Sequence, residues 1–273
     1  MRKRTLYYIL LYFCAAVFLV SSIYIVTYFI RSSREGSQHN ELIEMLESLQ
    51  ATLPTEQSRP TDPDETGSTL PPDLQPNKPL SPTILPEYLP FYQMNNHMVG
   101  WLNIPGTRVN YPVVQSPETP DFYLKYNFNK QRTDWGAIYV REVCDVNAPS
   151  DNITIYGHHM KDGSMFTGLD NYKKKSFWEG HKTFTFDTLY EHHTYEIFAV
   201  FKTSANYGEG FYYHLFVDAA DEAEYNEFVS TVKNLSFYDT GITPVYGEKL
   251  ICLSTCEYTL SNGRFVVVGR RIK

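Results

Sequence analysis

Two kinds of apolar pattern divide the chain. From Leu6 to Ile30 no position carries a charge, and the apolar run is continuous rather than periodic. Roughly 20 helical residues cross a bilayer core, so this stretch predicts one membrane-spanning helix with some tilt. From Glu87 onward the pattern changes to short blocks that alternate apolar and polar residues or gather β-branched and aromatic ones. GWLNIPG, TRVNYPVVQ, WGAIYVRE, NITIYG, TFTFDTLY, TYEIFAVFKTS, EKLICLSTC and RFVVVGRRI are such blocks, separated by Gly, Pro, Asn and Asp clusters. Many short strands at this spacing predict an all-β barrel or sandwich. One block departs from alternation: DAADEAEYNEFVSTVKNL, from Asp218, opens on acidic residues and sets Ala223, Phe228, Val229 and Val232 on a helix face. Residues 88–98 predict a second short helix appended to the β-rich domain.

Between the span and this domain lie two further segments. Residues 37–52 place Leu42, Met45 and Leu49 at helical spacing and predict a short amphipathic helix. The stretch that follows is dense in proline and polar residues, cannot bury enough surface to fold alone, and predicts an extended spacer. The expected organisation is a tail at 1–5, a transmembrane anchor at 6–30, a helix and proline-rich linker at 31–86, and a single folded domain at 87–273. A cleavable signal has an apolar core of about 7–15 residues followed by small residues. Here Ile30 leads straight to Arg31, so the expectation is an uncleaved anchor. Arg2, Lys3 and Arg4 precede the span, whereas Arg31 and Arg34 follow it beside Glu35. That bias places the N-terminus in the cytoplasm and the folded domain outside. A net charge of −7 argues against a nucleic-acid partner.

Composition then raises a question about sulfur. An extracellular domain normally pairs its cysteines, yet three lie beyond the span: Cys144, Cys252 and Cys256. Cys252 and Cys256 sit in one predicted strand, where four residues of rise separate their Cα atoms by about 13 Å. A disulfide needs less than about 7 Å. A Cys144–Cys256 bridge stays open, as does a buried, inert Cys256. A reactive thiol needs a base or cation to favour thiolate and a group to stabilise the oxyanion its attack creates. His158, after the block NITIYG, and Arg264, opening the last block, are candidates for these tasks. A hairpin turning on Asn262-Gly263 would leave Arg264 about 17 Å along the strand from the residue opposite Cys256. A wider loop centred on Leu260 would set Cys256 directly across from Arg264, and the catalytic reading requires that loop.

At this point the sequence resembles the class B sortases. LSTCEYTLSNGRFVVVGRR resembles their nucleophile motif, with cysteine after Ser-Thr and arginine in the next strand. NITIYGHHMKDGSMF resembles their histidine motif, and VGWLNIPGTRVNYPVVQ the stretch that opens their domain. The resemblance covers nearly all of residues 91 to 273. It implies an eight-stranded sortase-type β-barrel with a few appended helices, and a cysteine transpeptidase. Such an enzyme cuts a C-terminal sorting signal after its threonine and joins that threonine to an amine of the lipid-linked cell-wall precursor. Its partners would be signal-bearing secreted proteins, the peptidoglycan precursor and the membrane.

Carried onto this chain, the resemblance implies Cys256 as nucleophile, His158 as general acid and base, and Arg264 as the holder of the oxyanion or substrate backbone. It further implies substrate contacts for Leu124, Tyr156, Ser254, Thr255 and Glu257. Adjacent residues leaving a strand point to opposite sides, so only one of His158 and His159 should face Cys256, and the family pattern chooses His158. His192 and His193 read as surface histidines, Lys173 to Lys175 as a solvated face, and no cofactor or metal is implied. Pilin polymerisation and an inactive wall-binding barrel are the alternatives. An L,D-transpeptidase fits poorly, because its cysteine follows His-Gly and its arginine lies two positions on.

Overall fold

A computed structural model describes residues 2–53 and 82–273. The proline-rich stretch from 54 to 81, expected to be an extended spacer, lies outside the described residues. The chain divides after Glu44 into two compact units. Helix α1, Arg2–Thr52, is uninterrupted, so the predicted span and the amphipathic segment 37–52 are one helix rather than two. The reason is local: the only helix breaker between them is Gly36, which costs about 1 kcal/mol in a helix interior and does not stop one. Apolar side chains between Leu6 and Ile30 are largely exposed. A helix containing an 18-residue stretch of mean hydropathy 2.5, with its apolar surface uncovered, is suited to lipid.

Among the described residues, eight strands close into a barrel in the order β1-β2-β3-β4-β7-β8-β6-β5. They are β1 Met98–Asn103, β2 Asn110–Val114, β3 Ile138–Val140, β4 Asn152–Tyr156, β5 Thr183–Thr188, β6 Thr194–Ser204, β7 Leu250–Glu257 and β8 Gly263–Arg271. Each lies within or overlaps one of the eight blocks read from the sequence. Helices α2 Leu89–Met94, α3 Lys175–Gly180 and α4 Glu222–Leu235 are added to it, with a 3₁₀ segment at Phe166–Lys173. Two pairings are parallel, β2 with β3 and β4 with β7. The second needs a long crossover, which the chain from His158 to Lys249 supplies.

Strand β7 is buried on both faces, which explains its nearly continuous apolar sequence. Leu250 and Cys252, with Val266 and Val268 of β8, pack under Tyr225, Phe228, Val229 and Val232 of α4. The alternate residues Ile251 and Leu253, with Phe265 and Val267, are fully buried on the other face, the inside of the barrel. Far from the C-terminal end of β7, the turn between β5 and β6 holds the start of the domain. Leu85 N–H donates to Leu189 O at 2.8 Å, and Tyr88 O–H donates to Asp187 Oδ2 at 2.7 Å. His192 lies between Glu87, at 3.3 Å, and Asp187, at 2.8 Å. His193 is buried rather than at the surface, because the turn folds it back beside Asp187, whose Oδ1 accepts from its backbone N–H at 3.1 Å.

The N-terminus of α4 follows from its sequence. Asp221 has extended backbone and its side chain accepts from Glu224 N–H at 3.0 Å, while Glu222 and Glu224 complement the helix dipole. Asp221→Ala is expected to cost about 1 kcal/mol, read as a lower midpoint in urea denaturation with the slope unchanged.

Candidate active site

The register of three adjacent strands builds the site. Tyr156 of β4 pairs in parallel with Ser254 of β7, and Gly157 N–H donates to Ser254 O at 3.1 Å. Cys256 lies two residues beyond that pair within β7, and His158 two residues beyond it, just past the end of β4. On the other side of β7, Cys256 pairs antiparallel with Arg264 of β8. The loop joining these strands is therefore the wider one, and the cysteine sits in the middle of a row His158–Cys256–Arg264. Two residues back along the strands lies a second row on the same face: Tyr139, Tyr156 and Ser254.

These rows floor a cleft of about 410 Å³. One wall is the 3₁₀ turn Phe122–Leu124 with Asp121 before it; the other is the segment around Tyr213 and His214. Each wall is tied to the floor. Tyr139 O–H donates to Asp121 Oδ1 at 2.8 Å, the Tyr213 hydroxyl meets Ser254 Oγ, and Arg141 Nη1 donates to the His214 carbonyl.

His158 Nε2 lies 2.8 Å from the carbonyl oxygen of Leu124. A carbonyl only accepts, so Nε2 carries the hydrogen and Nδ1 is the nitrogen left to take a proton in the neutral ring. Gly136 permits this approach. It sits at φ +62°, and a Cβ there would fall 2.5 Å from Tyr123 O, 3.0 Å from Leu124 O and 3.1 Å from His158 Cδ2. Arg264 Nη1 donates to Gly263 O at 2.9 Å and to Asn262 Oδ1 at 3.1 Å.

The sulfurs are distinct. All four cysteines are free, which removes the Cys144–Cys256 bridge. Burial pushes the Cys144 and Cys252 thiols up from their ordinary value, so both stay protonated and unreactive near neutrality. Cys14 lies on the apolar helix. Cys256 alone is half-buried and borders the cleft.

Known proteins resemble this chain over most of its length. The family model of the sortase domain matches residues 102–272. Sortase B of Listeria monocytogenes is 33% identical over 183 residues, 66% of this chain and 72% of the relative. Sortase B of Staphylococcus aureus is 30% identical over 192 residues, 70% and 76% of the two chains.

The chain belongs to the sortase family.

Its solved relatives place it in class B. A Bacillus anthracis sortase B crystallised in complex with AAEK1 superposes with a TM-score of 0.70 at 27% identity, covering 90% of this chain and 99% of that one. An S. aureus sortase B–substrate complex superposes with a TM-score of 0.72 at 25% identity, covering 89% and 99%. Sortases are cysteine transpeptidases, and this one is of the sortase B type.

The remaining positions carried from the sortase pattern fall differently. Leu124, Tyr156 and Ser254 line the cleft. Thr255 borders it, but its side chain is on the opposite face of β7 and buried. Glu257 is not among the lining residues. Its carboxylate accepts from Thr259 N–H at 2.8 Å, Thr259 Oγ1 at 2.8 Å and Leu260 N–H at 3.1 Å, shaping the loop that sets Cys256 opposite Arg264. His159 turns away from the cleft to Asp170, 3.0 Å from its Nε2. Tyr139, Asp121, Tyr213, His214 and Gly136 were not singled out from the sequence. Tyr139 was accessible through its block WGAIYV; the others lie outside the strand blocks or carry no side chain.

Burial opposes ionisation of Glu257, but the bonds from Thr259 and Leu260, with Lys173 nearby, outweigh it and hold the carboxyl below its usual range. A carboxyl depressed in the folded state stabilises above its unfolded pKa and loses that contribution as pH falls through the folded value. Glu257→Gln is therefore expected to lower the melting temperature at pH 7, by the equivalent of about 1–2 kcal/mol. The difference should shrink as pH falls below the ordinary carboxylate range, in parallel thermal melts of both proteins.

Proposed function

We propose that this protein is a membrane-anchored transpeptidase that attaches secreted surface proteins to the cell wall. It cleaves a C-terminal sorting signal, of the Asn-Pro-x-Thr-Asn type, after the threonine. It then joins the threonine carbonyl to an amine of the lipid-linked peptidoglycan precursor. The observation that carries this reading is that His158, Cys256 and Arg264 line one open cleft, with Cys256 paired to Arg264 across the β7–β8 ladder.

In this mechanism the Cys256 thiolate attacks the threonine carbonyl carbon, forming a C–S bond and a tetrahedral oxyanion. Arg264 is placed to donate to that oxyanion or to the neighbouring peptide carbonyl. Collapse breaks the C–N bond, and the His158 imidazolium gives its proton to the departing amine. The thioacyl enzyme then meets the precursor amine. Neutral His158 takes a proton from that amine as it attacks, and the thiolate leaves. Leu124 and Tyr156 supply apolar surface to the peptide, and the backbone near Thr255 offers it hydrogen-bonding groups.

Location follows from the anchor. The apolar part of α1 spans the membrane with Arg2, Lys3 and Arg4 on the cytoplasmic side. The chain from Leu85 to Tyr88 joins the barrel at the β5–β6 turn, whereas the cleft lies at the C-terminal end of β4 and β7. Strand β8 runs between these ends, so residues 85–88 join the folded domain at the end of β8 opposite the cleft.

With a labelled signal peptide and an amine acceptor, the wild-type chain should release the leaving peptide and form the new amide. Cys256→Ala should abolish both, and His158→Ala should lower the rate by roughly 100-fold or more. Without acceptor, mass spectrometry should find the acyl group on the peptide containing Cys256. Equal turnover by wild type and Cys256→Ala would end this reading.

A further inference from the structure

Each residue of the catalytic row has a neighbour that faces the other way. His159 follows His158, Glu257 follows Cys256, and Phe265 follows Arg264. Two of the three, His159 and Phe265, touch one element, the 3₁₀ segment Phe166–Lys173, on the far side of the strands. Asp170 Oδ2 lies 3.0 Å from His159 Nε2, and Asp170 Oδ1 lies 3.0 Å from Lys173 Nζ. Lys173 Nζ in turn sits over the Phe265 ring, 5.2 Å from its centroid, and its charge acts on Glu257. Lys173, like Lys174 and Lys175, is exposed, but its ammonium is paired with Asp170. Tyr258 closes the circuit: its hydroxyl donates to the His159 carbonyl at 3.2 Å, and its ring meets the His159 ring edge-on at 5.4 Å.

The 3₁₀ segment is a firm support. Phe166, Leu169 and Tyr172 are fully buried. Phe166 N–H donates to His158 O at 2.9 Å, and Thr167 Oγ1 accepts from Met160 N–H at 2.8 Å, so the backbone on both sides of His159 is held by it. We propose that Asp170 and Lys173 are positioning residues for transpeptidation, fixing His158 and Arg264 on either side of Cys256 through their neighbours His159 and Phe265. The inference rests on the roles proposed above for those three residues.

Magnitudes favour alignment over stability as the role of this pair. Both side chains are more than a third exposed, or close to it, and ion pairs so exposed add little to folding stability. In contrast, misplacing reacting groups by about an ångström costs on the order of 100-fold in rate. A pair that hardly stabilises the fold can therefore govern catalysis if it sets how the strand ends on either side of Cys256 stand relative to one another.

The test uses the full-length chain with Asp170→Asn, Lys173→Met and Lys173→Arg. Three quantities are measured: kcat and KM with a sorting-signal peptide, the rate of Cys256 alkylation by iodoacetamide, and the melting temperature. Peptide mass spectrometry resolves Cys256 from exposed Cys14. Asp170→Asn and Lys173→Met should lower kcat by roughly 10-fold or more, with KM within about two-fold. Alkylation of Cys256 should slow several-fold as its imidazole neighbour drifts, with the melting temperature nearly unchanged. Lys173→Arg, which keeps the charge, should recover most of the rate. Unchanged kcat and alkylation would overturn the proposal, as would losses that track a fall in melting temperature. If wild type turns over no signal peptide, the transpeptidation reading fails by itself. The alkylation rates then still decide whether Asp170 and Lys173 align the thiol.

Discussion

Strand β7 is held from both sides, parallel to β4 and antiparallel to β8, and the chemistry depends on that double pairing. Because side chains alternate with a period of two, a slip of one residue in either ladder would turn Cys256 into the barrel and Glu257 into the cleft. What forbids the slip is burial rather than anything in the site. Leu250 and Cys252 fill space under α4, while Ile251 and Leu253 fill the barrel. Exchanging the two sets would misplace several side chains, each worth about 1.5–3 kcal/mol when fully buried. The hydrophobic core therefore chooses the register that the proposed chemistry uses, and the residues of the cleft need contribute nothing to it.

The walls of the cleft are secured in another way. Asp121, Leu124 and His214 lie on irregular segments that β-ladders do not hold. Each is fastened by a polar contact to a strand or to a residue just beyond one: Tyr139 to Asp121, the Leu124 carbonyl to His158, Arg141 to the His214 carbonyl. Single hydrogen bonds of this kind contribute about 1 kcal/mol net, and the buried rings of Tyr123 and Tyr213 anchor the two walls further.

The same division explains what could be read from the chain. The eight blocks became eight strands because alternation and β-branching are local consequences of lying in a half-buried sheet. The opposition of Cys256 and Arg264 could be posed as a choice between two loops, since a hairpin is also local. The pairing of β4 with β7 could not be posed at all from periodicity. It joins segments separated by two strands and two helices, and only the resemblance to sortases linked His158 to Cys256. Gly136 and Asp170 stayed hidden for a related reason. One matters for the side chain it lacks beside His158, the other for meeting His159 across a loop, and neither leaves a mark in hydrophobic patterning. His193 misled because a polar residue in a polar stretch gives no hint that a turn will bury it.

Arg264 shows how the loop completes what the strands begin. Its Nη1 bonds to Gly263 O and Asn262 Oδ1, which at first resembles a guanidinium occupied elsewhere. A guanidinium, however, carries five N–H donors in a rigid plane. Anchoring one nitrogen to the turn fixes that plane and leaves Nε and Nη2 without a partner among the described residues. Asn262 stands at φ +49°, a conformation that asparagine tolerates better than most residues, and it brings its side-chain oxygen to Nη1. Donors oriented before charge develops lose less to reorganisation when an oxyanion forms, and bonds to a charged acceptor are about twice as strong as neutral ones. The turn thus holds Arg264 ready at the edge of the cleft, and the register of β7 with β8 places that edge beside the sulfur.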